Sequence, residues 1–177
     1  MKIQIIGYSG SGKTTLAEVL SKIYKIDNVL HLDSLQFNDN WELNEKNDFI
    51  NKLTNFIKLD DWIIEGNYFS KVSQRFEICD LLIFLNYNRF FCLKSVFSRH
   101  KRLKNENYER FEIPGCKDKI DLEFINWVLF KGRNRNKRKK YKELIQNAKS
   151  ALVFKNRNEL LNYIEELNEK NNVENIW

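Results

Sequence analysis

Residues 7 to 14 of the chain read GYSGSGKT, so Gly7, Gly12, Lys13 and Thr14 stand at the spacing G-x-x-x-x-G-K-[ST]. These residue types suit the binding of a polyphosphate. Glycines allow the positive φ angles by which a loop turns its N–H groups toward phosphate oxygens. A lysine placed directly after the last glycine reaches the β- and γ-phosphates, and the hydroxyl that follows it ligates magnesium. Contacts to a nucleotide are therefore expected through Gly7, Ser9, Gly10, Ser11, Gly12, Lys13, Thr14 and Thr15, with ATP and Mg2+ as the ligands.

Two carboxylates stand where such chemistry needs them. Asp33 closes the short apolar run VLHLD and Glu65 closes WIIEG. In open parallel sheets ligands sit beyond the carboxyl ends of the strands. Glu65 fits the holding of magnesium, beside Thr14, and Asp33 fits the orientation or deprotonation of a phosphoryl acceptor. An acid after a strand is otherwise a turn former or a helix cap, and the phosphate loop tips the reading toward function. Tyr68, in the turn after Glu65, is placed to line the acceptor pocket, whereas Phe37, Trp41, Phe69, Phe90, Phe91 and Trp127 read as core.

Positive charge gathers in two places. Arg99 and Arg102 lie three residues apart on one helical segment, and KGRNRNKRKKYK carries Arg133, Arg135 and Arg138 among several lysines. Arginines delivered to a transferring phosphoryl group stabilise its charge while closure excludes water, which is the leading reading for some of them. Most of the lysines read as a solvated helix face. A nucleic-acid surface ranks third, since no DNA-reading motif accompanies the cluster.

Positioning these groups requires strands that end together. The apolar runs Lys2–Ile6, Val29–Leu32, Trp62–Ile64, Leu81–Leu85 and Ala151–Phe154 read as strands. Helical spacing runs over Lys13–Tyr24, about Asn44–Lys58, Arg89–Lys104, one long stretch from about Asp121 to Asn147, and Glu159–Asn168. Strands alternating with helices at these lengths predict an α/β fold of three layers, a parallel five-stranded sheet covered on both faces. The polar stretch around Pro114, at about residues 105–120, is the candidate helical lid inserted into a single domain spanning 1–177.

Composition narrows the class. Hydrophobic residues make up 42% and charged residues 31% of the 177, too apolar for a disordered chain and enough for one buried core. No run approaches the roughly 20 apolar residues of a membrane span, and the first strand begins almost at once, so the expected location is the cytoplasm, with no membrane partner. Cys79, Cys92 and Cys116 are odd in number and never spaced C-x-x-C, and His31 and His100 stand apart, which suggests neither disulfides nor zinc. The net charge of +6 favours an anionic partner without choosing between nucleotide and nucleic acid.

Taken together, GYSGSGKTT, VLHLDSLQF, WIIEGNY, DLLIFLNYNRFFCL and VFKNRNEL resemble the adenylate-kinase-like P-loop proteins known as DNA topology modulation proteins (FlaR-related), over nearly the whole chain. The resemblance implies a nucleoside-monophosphate-kinase-like fold with strand order 2-3-1-4-5, ATP binding, and Asp33 and Glu65 on the acceptor side. By similarity to adenylate and shikimate kinases it makes Arg99, Arg102, Arg133 and Arg135 lid-arginine candidates and puts Asn156 and Arg157 in a loop lining the adenine. The chain departs from the pattern in carrying Glu65 where such kinases usually have aspartate, and in lacking the lid cysteines of some adenylate kinases.

The expected function is a magnesium- and ATP-dependent small-molecule kinase, moving the γ-phosphoryl group to a nucleoside monophosphate or a similar small acceptor. The alternative is a nucleotide-switched regulatory or nucleic-acid-associated protein, motivated by the charge cluster from Lys131 to Lys142.

Overall fold

A computed structural model of the chain describes residues 1–37, 42–105 and 120–171. Nearly all of the expected lid at 105–120, together with Trp41 and Cys116, lies outside those residues. Five parallel strands, β1 (Lys2–Gly7), β2 (Val29–His31), β3 (Trp62–Glu65), β4 (Leu81–Leu85) and β5 (Ala151–Phe154), form one sheet in the order β2-β3-β1-β4-β5. Helices cover both faces, so the architecture is the expected three-layer α/β one.

Burial explains the strand order. β4 (LLIFL) and β3 (WIIE) are buried at every residue, as interior strands of a doubly covered parallel sheet must be. β5 at one edge leaves Val153 exposed, and the three residues of β2 at the other edge are half-buried. The helix α1 (Lys13–Tyr24) lays Leu16, Ala17, Val19, Leu20 and Ile23 against the sheet, and α3 (Lys46–Phe56) does so with Phe49 and Leu53.

The register brings the chemistry to one edge. Glu65 is level with Ile5 of β1 on one side and with His31 of β2 on the other, while Gly7 is level with Leu85, and Leu85 with Phe154. The last residues of all five strands therefore share a rim. β1 lies where the strand order reverses, the position at which open α/β sheets form a crevice.

Local structure differs from the sequence expectation in four places. β2 stops at His31 and a short helix, α2 (Leu32–Gln36), starts directly after it, so Asp33 sits in a first helical turn rather than at a strand end. A second short helix, α4 (Gln74–Ile78), precedes β4; apolar periodicity cannot announce five residues built around a buried arginine. Arg75 donates to Gln4 Oε1 at 3.0 Å and to the carbonyls of Asn67, Tyr68, Val72 and Lys71, holding the turn after β3 in place. Burial pulls its pKa down to about 9, which leaves it charged at neutral pH.

The stretch from Asp121 to Asn147 is not one helix. It divides into α6 (Leu122–Leu129), a single 3-10 turn at Lys131–Arg133 and α7 (Arg135–Asn147), after the long α5 (Arg89–Asn105). Phe130 leaves helical geometry at φ −133°, and the Asn134 side chain accepts from the Lys137 N–H at 2.9 Å to cap α7. Finally, α8 (Arg157–Asn171) begins two residues before the periodic pattern does, because Asn156 and Glu159 form a reciprocal cap. Asn156 Oδ1 accepts from the Glu159 N–H at 3.0 Å while Glu159 Oε2 accepts from the Lys155 N–H at 2.7 Å.

Candidate active site

β1 ends at Gly7 and α1 begins at Lys13, so the intervening turn wraps the N-terminus of a 12-residue helix, where N–H groups and the dipole favour an anion. Gly12 caps α1 in the left-handed region at φ 86°, and Gly10 has φ 78°. At Gly10 a side chain would also place its Cβ 2.4 Å from the Cys92 carbonyl, so the loop is pressed onto α5 and only glycine fits. Lys13 Nζ lies 3.5 Å from the Tyr8 carbonyl, folded across the mouth of the loop. Ser11 Oγ is buried with no hydrogen-bond partner among the described residues. A helix N-terminus, a lysine arched over it and an unsatisfied hydroxyl fit a bound phosphate chain.

The loop is fastened from two sides. Asn67 donates through Nδ2 to the Gly7 carbonyl at 2.9 Å and accepts from the Gly7 N–H at 3.1 Å, which ties the turn after β3 to the end of β1. On the other side the Tyr8 ring packs edge-on against Phe84 and Tyr141, with the Arg133 guanidinium 3.6 Å from its centroid. Arg133 is 8% exposed, and its nitrogens donate to the carbonyls of Tyr87 at 2.8 Å and Val128 at 3.2 Å and to Cys92 Sγ at 3.1 Å. Burial raises the Tyr8 pKa against the pull of that neighbouring charge.

Glu65, 3% exposed, gathers partners at one oxygen. Thr14 Oγ1 donates to Glu65 Oε1 at 3.3 Å, and His31 Nδ1 lies 3.3 Å from the same atom. The other ring nitrogen of His31 is 3.2 Å from Glu18 Oε1, so an imidazole bridges a carboxylate on α1 and one on β3. Thr14 and Glu65 present hard oxygen ligands side by side, which suits magnesium, an ion that keeps several waters and phosphate oxygens in its shell. Among the described residues no cluster of three His, Cys, Asp or Glu is placed to hold a metal by protein groups alone.

Opposite the loop, Tyr68 donates from its hydroxyl to Asp33 Oδ1 at 2.6 Å. Lys71 donates to Gln36 Oε1 at 2.6 Å and stands 3.8 Å over the Phe49 ring, and desolvation, with Lys46 nearby, lowers its pKa. Phe49 and Tyr68 pack ring to ring at 5.4 Å. Asp33, Tyr68 and Lys71 thus come from α2 and from the turn that Arg75 and Asn67 hold.

The remaining expected residues divide. Asn156 and Arg157 border a cavity of about 360 Å³ whose other wall is Tyr87, Asn88 and Phe91, between the turns that follow β4 and β5. Arg99 is half-buried and Arg102 exposed on α5, and Arg135 is exposed at the start of α7. Ser9 lies on the loop and is half-buried, and Thr15 is an exposed residue in the first turn of α1. Phe90 at 70%, Trp127 at 42% and Phe91 at 38% are exposed rather than core. Sequence reasoning gave no site role to Asn67, to Glu18, to His31, which it set aside as a zinc ligand, or to Trp127, which it read as core. Asn67 and His31 flank the two acids, which is the only signal they carry; Glu18 and Trp127 have none.

No family model matches this chain, and no curated protein does. Solved structures match it by shape. A shikimate kinase from Acinetobacter baumannii in complex with shikimate aligns with 96% of this chain and 93% of its own at 15% identity and a TM-score of 0.55. A protein from Thermus thermophilus aligns with 96% and 97% at 12% identity and a TM-score of 0.51. At this identity the similarity is one of fold, and the fold is that of the P-loop kinases. No helix among the described residues is long and apolar enough to cross a membrane.

Proposed function

We propose that the chain is a phosphotransferase that takes the γ-phosphoryl group of ATP to a small acceptor, a nucleoside monophosphate or a compound of similar size. The observation that carries this reading is the meeting, on one rim, of a phosphate loop, the Thr14–Glu65 pair and the Asp33–Tyr68 pair. A protein that only bound nucleotide would need the first two; the third is a carboxylate made ready for something else. The overall likeness to a kinase that holds its small acceptor supports the same view.

In this reading the loop N–H groups and Lys13 bind the phosphates, and Asn67 keeps the loop in register with the acid-bearing turn. Thr14 and Glu65 would hold magnesium, with His31 orienting the carboxylate. When bound, that ion neutralises charge on the β- and γ-phosphates. Asp33 accepts a hydrogen bond from the acceptor's nucleophilic hydroxyl or takes its proton, while Tyr68 fixes the other geometry of the carboxylate. Arg99, Arg102 and Arg135 are candidates to meet developing charge as the site closes, and Arg133 acts on the loop through Tyr8. Asn156 and Arg157, on their cavity, fit the base of the nucleotide.

The similarity to the DNA topology modulation proteins belongs to this proposal as a family reading and adds no DNA contact. Lys139 and Lys140 stand 3.9 and 3.6 Å from Glu143, which supports a solvated α7 face. The test is ADP formation from ATP over a panel of nucleoside monophosphates and small hydroxyl compounds, with Lys13→Ala as the blank. One acceptor class that raises turnover well above the blank is expected; trace release indifferent to the acceptor would remove the kinase reading.

A further inference from the structure

The lysines of KGRNRNKRKKYK are not equivalent once folded. Lys137 points back along α7, and its Nζ stands 3.4 Å from the centre of the Trp127 ring. The indole in turn donates from Nε1 to Ser9 Oγ at 3.3 Å, a hydrogen bond between residues 118 apart in the chain. One indole therefore separates the ammonium from the phosphate loop.

The arrangement is built rather than incidental. A Cβ at Gly132 would come within 2.7 Å of the Trp127 carbonyl and 3.3 Å of its Nε1, so the 3-10 turn is pressed against the residue it positions. The cap from Asn134 to the Lys137 N–H fixes the first turn of α7, and with it the root of the lysine. Desolvation against the ring lowers the Lys137 pKa, the mark of an ammonium taken partly out of water.

The end of the loop concerned can be told from Lys13. Its Nζ lies at the Tyr8 carbonyl, next to Ser9, and a lysine in this position reaches the β- and γ-phosphates. Ser9 thus marks the γ end. A cation resting on an aromatic face near the surface is held weakly compared with one making a charge-assisted hydrogen bond to phosphate, so the ammonium can change partners without a large cost.

We infer that Lys137, parked on Trp127 beside Ser9, is a reader of the terminal phosphate: it leaves the indole to contact the γ-phosphoryl group of a bound nucleoside triphosphate. This rests on the phosphoryl-transfer reading above and adds to it a residue that distinguishes triphosphate from diphosphate.

The experiment is calorimetric titration of the full chain with ATP and with ADP, in the presence of magnesium. Both side chains reach solvent, so their replacement leaves the core untouched. Lys137→Met is expected to weaken ATP about tenfold and to leave ADP within about twofold, the size of one lost charge-assisted contact. Trp127→Ala, which removes the competing resting place, is expected to tighten ATP by about two- to fivefold and to leave ADP unchanged, and Trp127→Phe, which keeps a ring there, to stay near wild type. Equal losses for ATP and ADP, or none, in a chain that still binds both would overturn the inference alone. If the wild-type chain binds neither nucleotide, the phosphoryl-transfer reading fails and the inference falls with it.

Discussion

The hydroxyl of Tyr68 donates a 2.6 Å hydrogen bond to Oδ1 of Asp33, joining the turn after β3 to the first turn of α2 across 35 residues. In the proposed reading the second carboxylate oxygen takes the acceptor hydroxyl. Asp33→Asn is expected to lower kcat/KM for the acceptor by roughly a hundredfold, the usual worth of a positioned general base, and Tyr68→Phe by about tenfold. Steady-state kinetics with the acceptor found in the panel would measure both, and ATP affinity should not change. Near-normal turnover in Asp33→Asn would remove the residue from the mechanism.

Glu65 Oε1 receives the Thr14 hydroxyl and faces His31 at the same distance, 3.3 Å. Exchanging the carboxylate for an amide keeps the size of the buried side chain while halving its usefulness to a hard cation. In Glu65→Gln, and less so in Thr14→Ala, the magnesium concentration for half-maximal ATP turnover should rise about tenfold. A magnesium titration at saturating ATP reads this directly. An unchanged requirement in both variants would mean that the pair holds the rim together and nothing more.

Arg133 spends its donors on the Tyr87 and Val128 carbonyls and on Cys92, with its flat face on Tyr8. Arg133→Met strands buried carbonyls and is expected to cost about 2–4 kcal/mol of stability. Arg133→Lys should recover little, because a point ammonium cannot reach three acceptors at once or stack on a ring. Urea denaturation of the two variants decides it. Full stability with a selective fall in kcat would instead place the guanidinium on the phosphate.

Burial pushes the Cys79 thiol from its ordinary 9.0 up to about 11. Below pH 9 the thiol is protonated in folded and unfolded chains alike. Between pH 9 and 11 the unfolded thiol ionises while the folded one keeps its proton, so stability falls, by about 1.4 kcal/mol per pH unit from this group. Tyr87, pushed up to about 12, adds to the loss at higher pH. Denaturation midpoints at pH 7, 9, 10 and 11 should show the fall, and Cys79→Ala should make the segment between 9 and 11 shallower, the buried Cys92 thiol, also raised, carrying part of what remains. An identical slope in that variant would assign the loss to other groups.

Much of the layout was legible because it depends on local pattern. The glycine spacing of residues 7–14, the apolar run LLIFL and the periodicity of α1 each express a constraint that acts within a few residues, and each recurs in the structure. Where tertiary contacts decide, pattern misleads. The basic stretch looks like one helix because no proline interrupts it between Asp121 and Asn147, yet Arg133 must turn inward to meet Tyr8, and the helix yields. Trp127 looks like core because tryptophan is apolar, yet its N–H needs a partner and finds Ser9. Beyond flanking the two acids, Asn67 and His31 carry no signature until the sheet register sets Glu65 level with His31 and the turn beside Gly7.

The sequence by itself determined a phosphate loop between a strand and a helix, two acids after apolar runs and a parallel α/β architecture, since hydrophobic period, glycine spacing and charge are properties of neighbouring residues. Only the tertiary structure decided which groups meet: Thr14 with Glu65, Tyr68 with Asp33, Trp127 with Ser9, and Lys137 rather than its neighbours above the indole. Those pairings span up to 118 residues. They follow from parallel strands ending on one rim, a relation that no short stretch of chain contains.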